Sequence, residues 1–362
     1  MEINIESQLQ LIAELPGHDE RAWQVAWNPT KPLIASCSAD KTVRLYSYHL
    51  DRQDSSKTVF SHVTTIPTGH TKTVRSVAWA PSGKTLATGS FDSNVGIWER
   101  REASDDDVDP SESDDWECVT LLEGHETECK SVAYSGTGTL LASCSRDKTV
   151  WVWEVQPDAD FECMGVLMEH SQDVKCVAWH PTEEILASAS YDDTIKLYVD
   201  DPSEDWYCFA TLSGHGATVW ALAWAPQGDY FASSSDDLTI RIWQRTAKYT
   251  WEFIHQLKGH DRSIYSLSWG PGKGTRDSLG WLASTGGDGK INVWGISQPS
   301  QQGSGNPTLT SRLVASVSSA HDVHDVNSVQ WCPRSGFEDL LSTAGDDGLI
   351  RVWKVIPSSI RE

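Results

Sequence analysis

A hydroxyl, an imidazole and a carboxylate recur together along this chain. That trio is the equipment of nucleophilic hydrolysis: an oxygen to attack, a base to take its proton, and an acid to orient the base. The first set is His18, Ser36 and Asp40. Six more follow, carried by His70, His125, His170, His215, His260 and His321, with Asp92, Asp147, Asp192, Asp237, Asp288 and Asp347, and with Thr88, Ser143, Ser188, Ser233, Ser284 and Thr343. One site needs one trio, so seven point to a structural use. A buried polar group without a partner costs about 1–3 kcal/mol. A chain of bonds from Asp to His to Ser or Thr, ending on an indole N–H, satisfies several such groups together. No lone nucleophile, phosphate loop or carboxylate pair stands outside the recurrence, so the chain reads as non-catalytic.

The spacing says what positions these groups. An aromatic stands nine residues after each of the first six histidines, at Trp27, Trp79, Tyr134, Trp179, Trp224 and Trp269; Trp331 follows the seventh by ten. Six residues past each aspartate stands another, at Tyr46, Trp98, Trp153, Tyr198, Trp243, Trp294 and Trp353. The His-to-Asp interval is 22 in the first five units, then 28 and 26, with the excess in GPGKGTRDSLG and PRSGFED. Insertions confined to Gly- and Pro-containing stretches are loops between fixed strands. Over nearly its whole length the chain resembles the WD-repeat β-propellers, although Glu169 and Ala320 replace the glycine before two of the histidines. The resemblance implies an all-β, seven-bladed WD40 propeller, one domain over 1–362, with four-stranded blades around a channel. In unit one the strands fall near 22–27, 33–38, 42–47 and 60–66. Too little chain follows Trp353 for a last strand, so residues 9–15, LQLIAEL, are expected to pair in the last blade and close the ring.

Composition narrows the classes. A formal charge of −22 opposes broad nucleic-acid or anionic-membrane binding. The N-terminal residues lack a secretion signal, and no run approaches the ~18 apolar residues of a membrane span. Eight cysteines without a C-x-x-C pair suggest reduced thiols, in the cytosol or also the nucleus. Cys118, Cys163 and Cys208 each lie seven before a repeat histidine, and Cys37 and Cys144 three before an aspartate, so they read as packing groups. His321 and His324 have metal-like spacing, but His321 is committed to its repeat; no metal or cofactor is expected. Trp116, Trp206 and Trp251 form a third aromatic column. Residues 102–115, with eight carboxylates in fourteen, read as a solvated connector, and 297–311 as a flexible link.

Because each histidine must meet its aspartate, two sets of loops share one end of the propeller. Five residues after the histidines come Trp23, Arg75, Lys130, Lys175, Trp220, Tyr265 and, one position uncertain, Val326; just before the aspartates come Ala39, Phe91, Arg146, Tyr191, Asp236, Gly287 and Asp346. An acidic protein thus places Arg75, Lys130, Arg146 and Lys175 in adjacent repeats, flanked by Phe91, Tyr191, Trp23, Trp220 and Tyr265. They either neutralise Glu128 and Asp173 beside them or form a site for acidic partner segments, with Arg146 offering a bidentate fork.

Three stretches, HTKTVRSVAWAPSGKTLATGSFDSNVGIWE, EGHETECKSVAYSGTGTLLASCSRDKTVWVWE and LMEHSQDVKCVAWHPTEEILASASYDDTIKLY, resemble the WD-repeat subunit of the cytosolic iron–sulfur protein assembly (CIA) targeting complex. The resemblance implies a scaffold that helps deliver [4Fe–4S] clusters to cytosolic and nuclear apoproteins, itself monomeric. Its implied partners are a small cysteine-bearing CIA subunit, a large HEAT-repeat scaffold, an iron-only-hydrogenase-like adaptor and the client apoproteins. The family's top-face arginine, in SRDK, maps onto Arg146. Some relatives carry Leu-Tyr-Arg in blade four to recruit a chaperone; here Val199 follows Leu197 and Tyr198 and the cation is missing. From the residues alone, a ubiquitin-ligase substrate receptor or a histone-tail reader remains the competing class, although basic histone tails would call for an acidic mouth.

Overall fold

Each repeat folds as one twisted antiparallel sheet. A computed structural model describes residues 7–15, 17–54, 57–101, 116–157, 160–201, 205–272, 277–298 and 309–357. In the first repeat, β2 (Ala22–Trp27), β3 (Leu33–Ser38), β4 (Thr42–Leu50) and β5 (Thr58–Pro67) pair in that order. Strand β4 runs three residues past its expected end because Tyr48 is buried there, edge-on to Trp27 at 5.0 Å and stacked near Phe60 at 5.9 Å. Six further four-stranded sheets repeat the plan, and the inner strand of each blade packs on its neighbours around the ring. The second strand of each blade is covered on both faces and reads as a nearly unbroken buried run: all six residues of LLASCS, 140–145, are buried.

The seventh sheet closes the ring. Strand β1 (Ser7–Leu15) pairs antiparallel with β28 (Ile350–Pro357), from Ser7 opposite Pro357 to Leu15 opposite Ile350. Arg351 anchors the joint: its Nε donates to Glu14 at 2.9 Å and its Nη2 to Asp322 at 3.1 Å.

The recurring trio is a bonded network in all seven blades. Each histidine Nδ1–H donates to its aspartate at 2.8–3.0 Å. Each Nε2 accepts from the Ser or Thr hydroxyl at 2.7–2.9 Å. Trp98, Trp153, Trp243, Trp294 and Trp353 complete the chain by donating their indole N–H to that same oxygen at 2.9–3.1 Å. In blade four the Tyr198 hydroxyl joins Ser188 at 3.2 Å. Tyr46 breaks the pattern, since its hydroxyl is buried without a partner of acceptable geometry. Leu197 and Tyr198 are both core residues, so that pair presents no surface.

This network predicts acid sensitivity. Burial opposes ionisation of Asp147, but the hydrogen bonds from His125 and Thr149 outweigh it and hold the carboxyl well below the usual range. Asp40, Asp92, Asp192 and Asp237 are lowered the same way. A folded-state pKa below the unfolded value, about 3.9, adds stability that is complete above that value and is lost as pH falls through it. The aspartates' contribution should be complete above about pH 5 and be lost toward about pH 2, so the melting temperature should fall steeply over that range. A melting temperature that held or rose over that lower range would contradict the assignment.

Two sequence expectations change. Cys37 and Cys144 are buried, but Cys118 and Cys163 are exposed and Cys208 is half-buried, because outer-strand positions lose cover on one face. The link expected over 297–311 shortens at both ends: β24 (Ile291–Ser297) pairs with β25 (Thr310–Val317), with Ser297 opposite Thr310. The rest of it, 299–308, lies outside the described residues, as does the acidic connector 102–115. Among the described residues no group of three His, Cys, Asp or Glu side chains is arranged to hold a metal.

Candidate functional site

The mouth of the channel is built from β-bulges. Where each inner strand meets its partner, the register slips after the first residue: Ala22 faces Ser38 but Gln24 faces Cys37. The same slip skips Arg75, Lys130, Lys175, Trp220, Tyr265 and Asn327 in the other six blades. A bulged residue is released from the pairing and its side chain is re-aimed. All seven of these side chains line one cavity of about 250 Å³ at the channel end that bears the His–Asp turns. Phe91, Arg21, Asp325 and Asp346 complete the wall.

The expectation of Val326 in the seventh position is corrected. Val326 is fully buried, and the bulged residue is Asn327. Counting back four from the closing aromatic, as Trp23 stands to Trp27, reaches Asn327 from Trp331; the one-residue insertion after His321 misleads the forward count.

The cations occupy the arc of blades two to four, and they are not equivalent. Lys130 pairs with Glu128 and lies over the Phe91 ring, 4.2 Å from its centroid. Lys175 reaches Asp173 at 3.3 Å and sits 5.2 Å from the Tyr191 ring and 5.1 Å from Trp220. Burial pulls the Lys130 ammonium below its ordinary pKa, and Glu128 partly offsets this. Arg146 does not line the cavity. It stands on the rim, its side chain 59% exposed, between Glu128 at 3.5 Å and Asp173 at 4.0 Å. Neutralisation by Glu128 and Asp173 therefore holds for Lys130 and Lys175 and only loosely for Arg146.

Arg75 differs from all three. Its guanidinium lies 4.8 Å from the Trp23 ring centroid, and burial lowers its pKa, yet no carboxylate among the described residues pairs with it. Trp23 Nε1 is likewise buried without a partner. The opposite arc is acidic: Asp236 accepts from Trp220 Nε1 at 2.6 Å, Asp325 from the Tyr265 hydroxyl at 3.4 Å, and Asp346 from Asn327 at 2.8 Å. Arg21 crosses to Asp346 at 3.4 Å. Arg21 and Asp346 stand in the phased loop positions, and so does Asp325, six residues before Trp331 as Arg21 is before Trp27, with its carbonyl accepting from Asp346 N–H as that of Arg21 does from Ala39.

The repeat pattern matches the WD domain, G-beta repeat family at residues 9–47, 60–99, 116–154, 161–198, 206–244, 251–295 and 312–354. The chain belongs to the WD40-repeat family. Each match begins on the outer strand of one blade and ends on the third strand of the next, as the ring closure by β1 requires. Curated relatives include proteins named "Probable cytosolic iron-sulfur protein assembly protein 1". That of Cryptococcus neoformans is 53% identical over 181 residues, covering 42% of this chain and 41% of its own. The Mycosarcoma maydis protein is 51% identical over 178 residues, 42% and 39% of the two chains. The Aspergillus terreus protein is 42% identical over 165 residues, 41% and 37%. These alignments thus span about two fifths of each relative's length.

Proposed function

We propose that this WD40 propeller is a non-catalytic interaction scaffold of cytosolic iron–sulfur protein assembly, working in the cytosol and nucleus. The observation that carries this is identity of up to 53% to relatives bearing that name. The cluster is cargo, delivered as [4Fe–4S] to apoproteins by the assembly and not held by this chain. Its partners are then a small cysteine-bearing subunit, a HEAT-repeat scaffold, an iron-only-hydrogenase-like adaptor and clients. Acidic segments of one or more of them dock at the channel mouth, meeting Arg146 at the rim and Arg75, Lys130 and Lys175 within, with Trp23, Phe91, Tyr191, Trp220 and Tyr265 as apolar anchors. The cationic arc supports an acidic ligand because a carboxylate entering it meets Arg75 without displacing an existing ion pair.

Co-purification with the full chain and with Arg146→Glu tests this reading. Arg146 is exposed and loosely paired, so the variant should melt within about 1–2 °C of wild type. It should nevertheless lose a defined subset of iron–sulfur assembly proteins. Retention of every partner by the folded variant, or recovery of a cullin adaptor or nucleosomes in their place, would reject it.

A further inference from the structure

The aromatic that ends each inner strand wedges against the preceding blade. Trp27, Trp79, Trp179 and Trp224 donate their indole N–H to the carbonyls of Gln330, Ala26, Ala133 and Ala178 at 2.9–3.2 Å. Each acceptor is the residue just before the preceding blade's own aromatic. By that rule the acceptor facing blade three is Ala78, but blade three carries Tyr134 in place of tryptophan. The Tyr134 hydroxyl is buried without a partner. Burial, reinforced by the charge of Glu99, pushes its pKa well above the ordinary tyrosine value.

Beside this smaller ring a cavity of about 270 Å³ opens between blades two and three, lined by Pro81, Thr85, Glu99, Tyr134, Val155 and Phe161. The first-to-second strand turns reach it, so it lies at the end of the propeller opposite the mouth. Its walls are apolar on Pro81, Val155 and Phe161. Among the described residues the one carboxylate lining it is Glu99, which accepts from the Thr85 hydroxyl at 2.8 Å. At its edge Gln156 spends its amide nitrogen on Glu154 at 3.3 Å and Glu162 at 3.1 Å, so two more carboxylates add negative potential.

We propose that this cavity is a second docking site, taking one long basic side chain, arginine above all, from a partner protein segment. An arginine stem packs along Pro81 and Val155. Its planar guanidinium can lie against Phe161 while donating to Glu99, a pairing a point charge would match less well. Charge complementarity favours that occupant: the site is acidic on a chain of −22. An acidic segment, which the mouth suits, is repelled here. The proposal therefore goes beyond the proposed function and does not depend on it.

The test uses the full chain and a capped Gly-Ser-Arg-Ser-Gly peptide followed by ligand-observed NMR. Wild type should bind weakly but measurably, and a norleucine replacement of the arginine should weaken binding by about tenfold or more. Tyr134→Trp installs the residue type of the other six blades and fills the cavity. It should melt no lower than wild type and bind about tenfold more weakly. Glu99→Gln should weaken binding similarly, and it keeps the proposal testable if the tryptophan variant misfolds. Deletion of residues 102–115 removes eight other carboxylates and should leave the affinity within about twofold. The proposal falls if folded Tyr134→Trp binds like wild type, if norleucine serves as well as arginine, or if affinity follows the 102–115 deletion alone.

Discussion

A chain beginning at residue 16 should melt about 10 °C or more below the full-length protein and aggregate through the opened blade. Leu9 and Leu15 of β1 are buried, Leu9 in the apolar cluster that holds Trp331, Trp353 and Val355, and Leu15 in the one that holds Trp27 and Tyr46. Removing two such side chains costs about 2–3 kcal/mol each, before the newly bared partners are counted. Arg351 would lose Glu14 while remaining beside Asp322 and Asp347. The sum, about 5 kcal/mol, approaches the total stability of many domains. The unpaired edge of β28 would meanwhile offer its free backbone groups to any extended segment. Two controls separate ring closure from a general effect of truncation. Removing only residues 1–6 leaves β1 intact and should change little. Adding the peptide SQLQLIAEL in trans should restore much of the lost melting temperature by supplying the strand. Unchanged melting of the 16–362 chain would mean that β1 contributes nothing to closure.

The same closure shows what could be read in advance. The seven His–Asp intervals locate the turns, and Ser36 and its counterparts locate the second strands, because the buried bond to each histidine needs a hydroxyl, Ser or Thr, four residues before the aspartate. The partner of the last blade was legible for a different reason: an unpaired edge needs a strand, and one apolar stretch was left over. What the repeat could not show was how individual cations divide their roles. Arg75, Lys130 and Arg146 share a face by phase, but phase does not say that Lys130 takes Glu128, that Arg146 stays on the rim, or that Arg75 is left without a carboxylate. Those outcomes depend on side-chain reach and on bulge geometry. The forward count from His321 misplaces the seventh position on Val326, because one inserted residue shifts every later position, whereas the backward count from Trp331 reaches Asn327. Tyr134 was visible as the one non-tryptophan in its column, yet only the structure shows the cavity it leaves.

That division of roles gives the second large expectation: Arg75 and Lys130, two cations in one cavity, should respond to removal with opposite signs. Arg75→Met deletes a poorly solvated charge that has no counter-ion and keeps an apolar side chain of similar length over Trp23. A half-buried charge without a counter-ion is a mild liability, offset by its ring contact and by its place on the wall of the mouth, so its loss should stabilise the fold by about 1 kcal/mol. The melting temperature should then rise by about 2–4 °C. Lys130→Met instead strands Glu128, whose carboxyl is held below its usual range against burial by Lys130 first and by Arg146 second. That variant should lose about 1–2 kcal/mol and melt lower. Binding separates the two residues again. If the mouth receives acidic segments, Arg75→Met should lose the Arg146-dependent partners despite being the more stable protein, because the cation that no internal carboxylate neutralises is the one left for a ligand. A stability gain joined to a loss of binding is what a site maintained at a cost to the fold predicts. Lower melting with full partner retention would instead make Arg75 a structural prop against Trp23, and the acidic ligand would then have to be held by the rim alone.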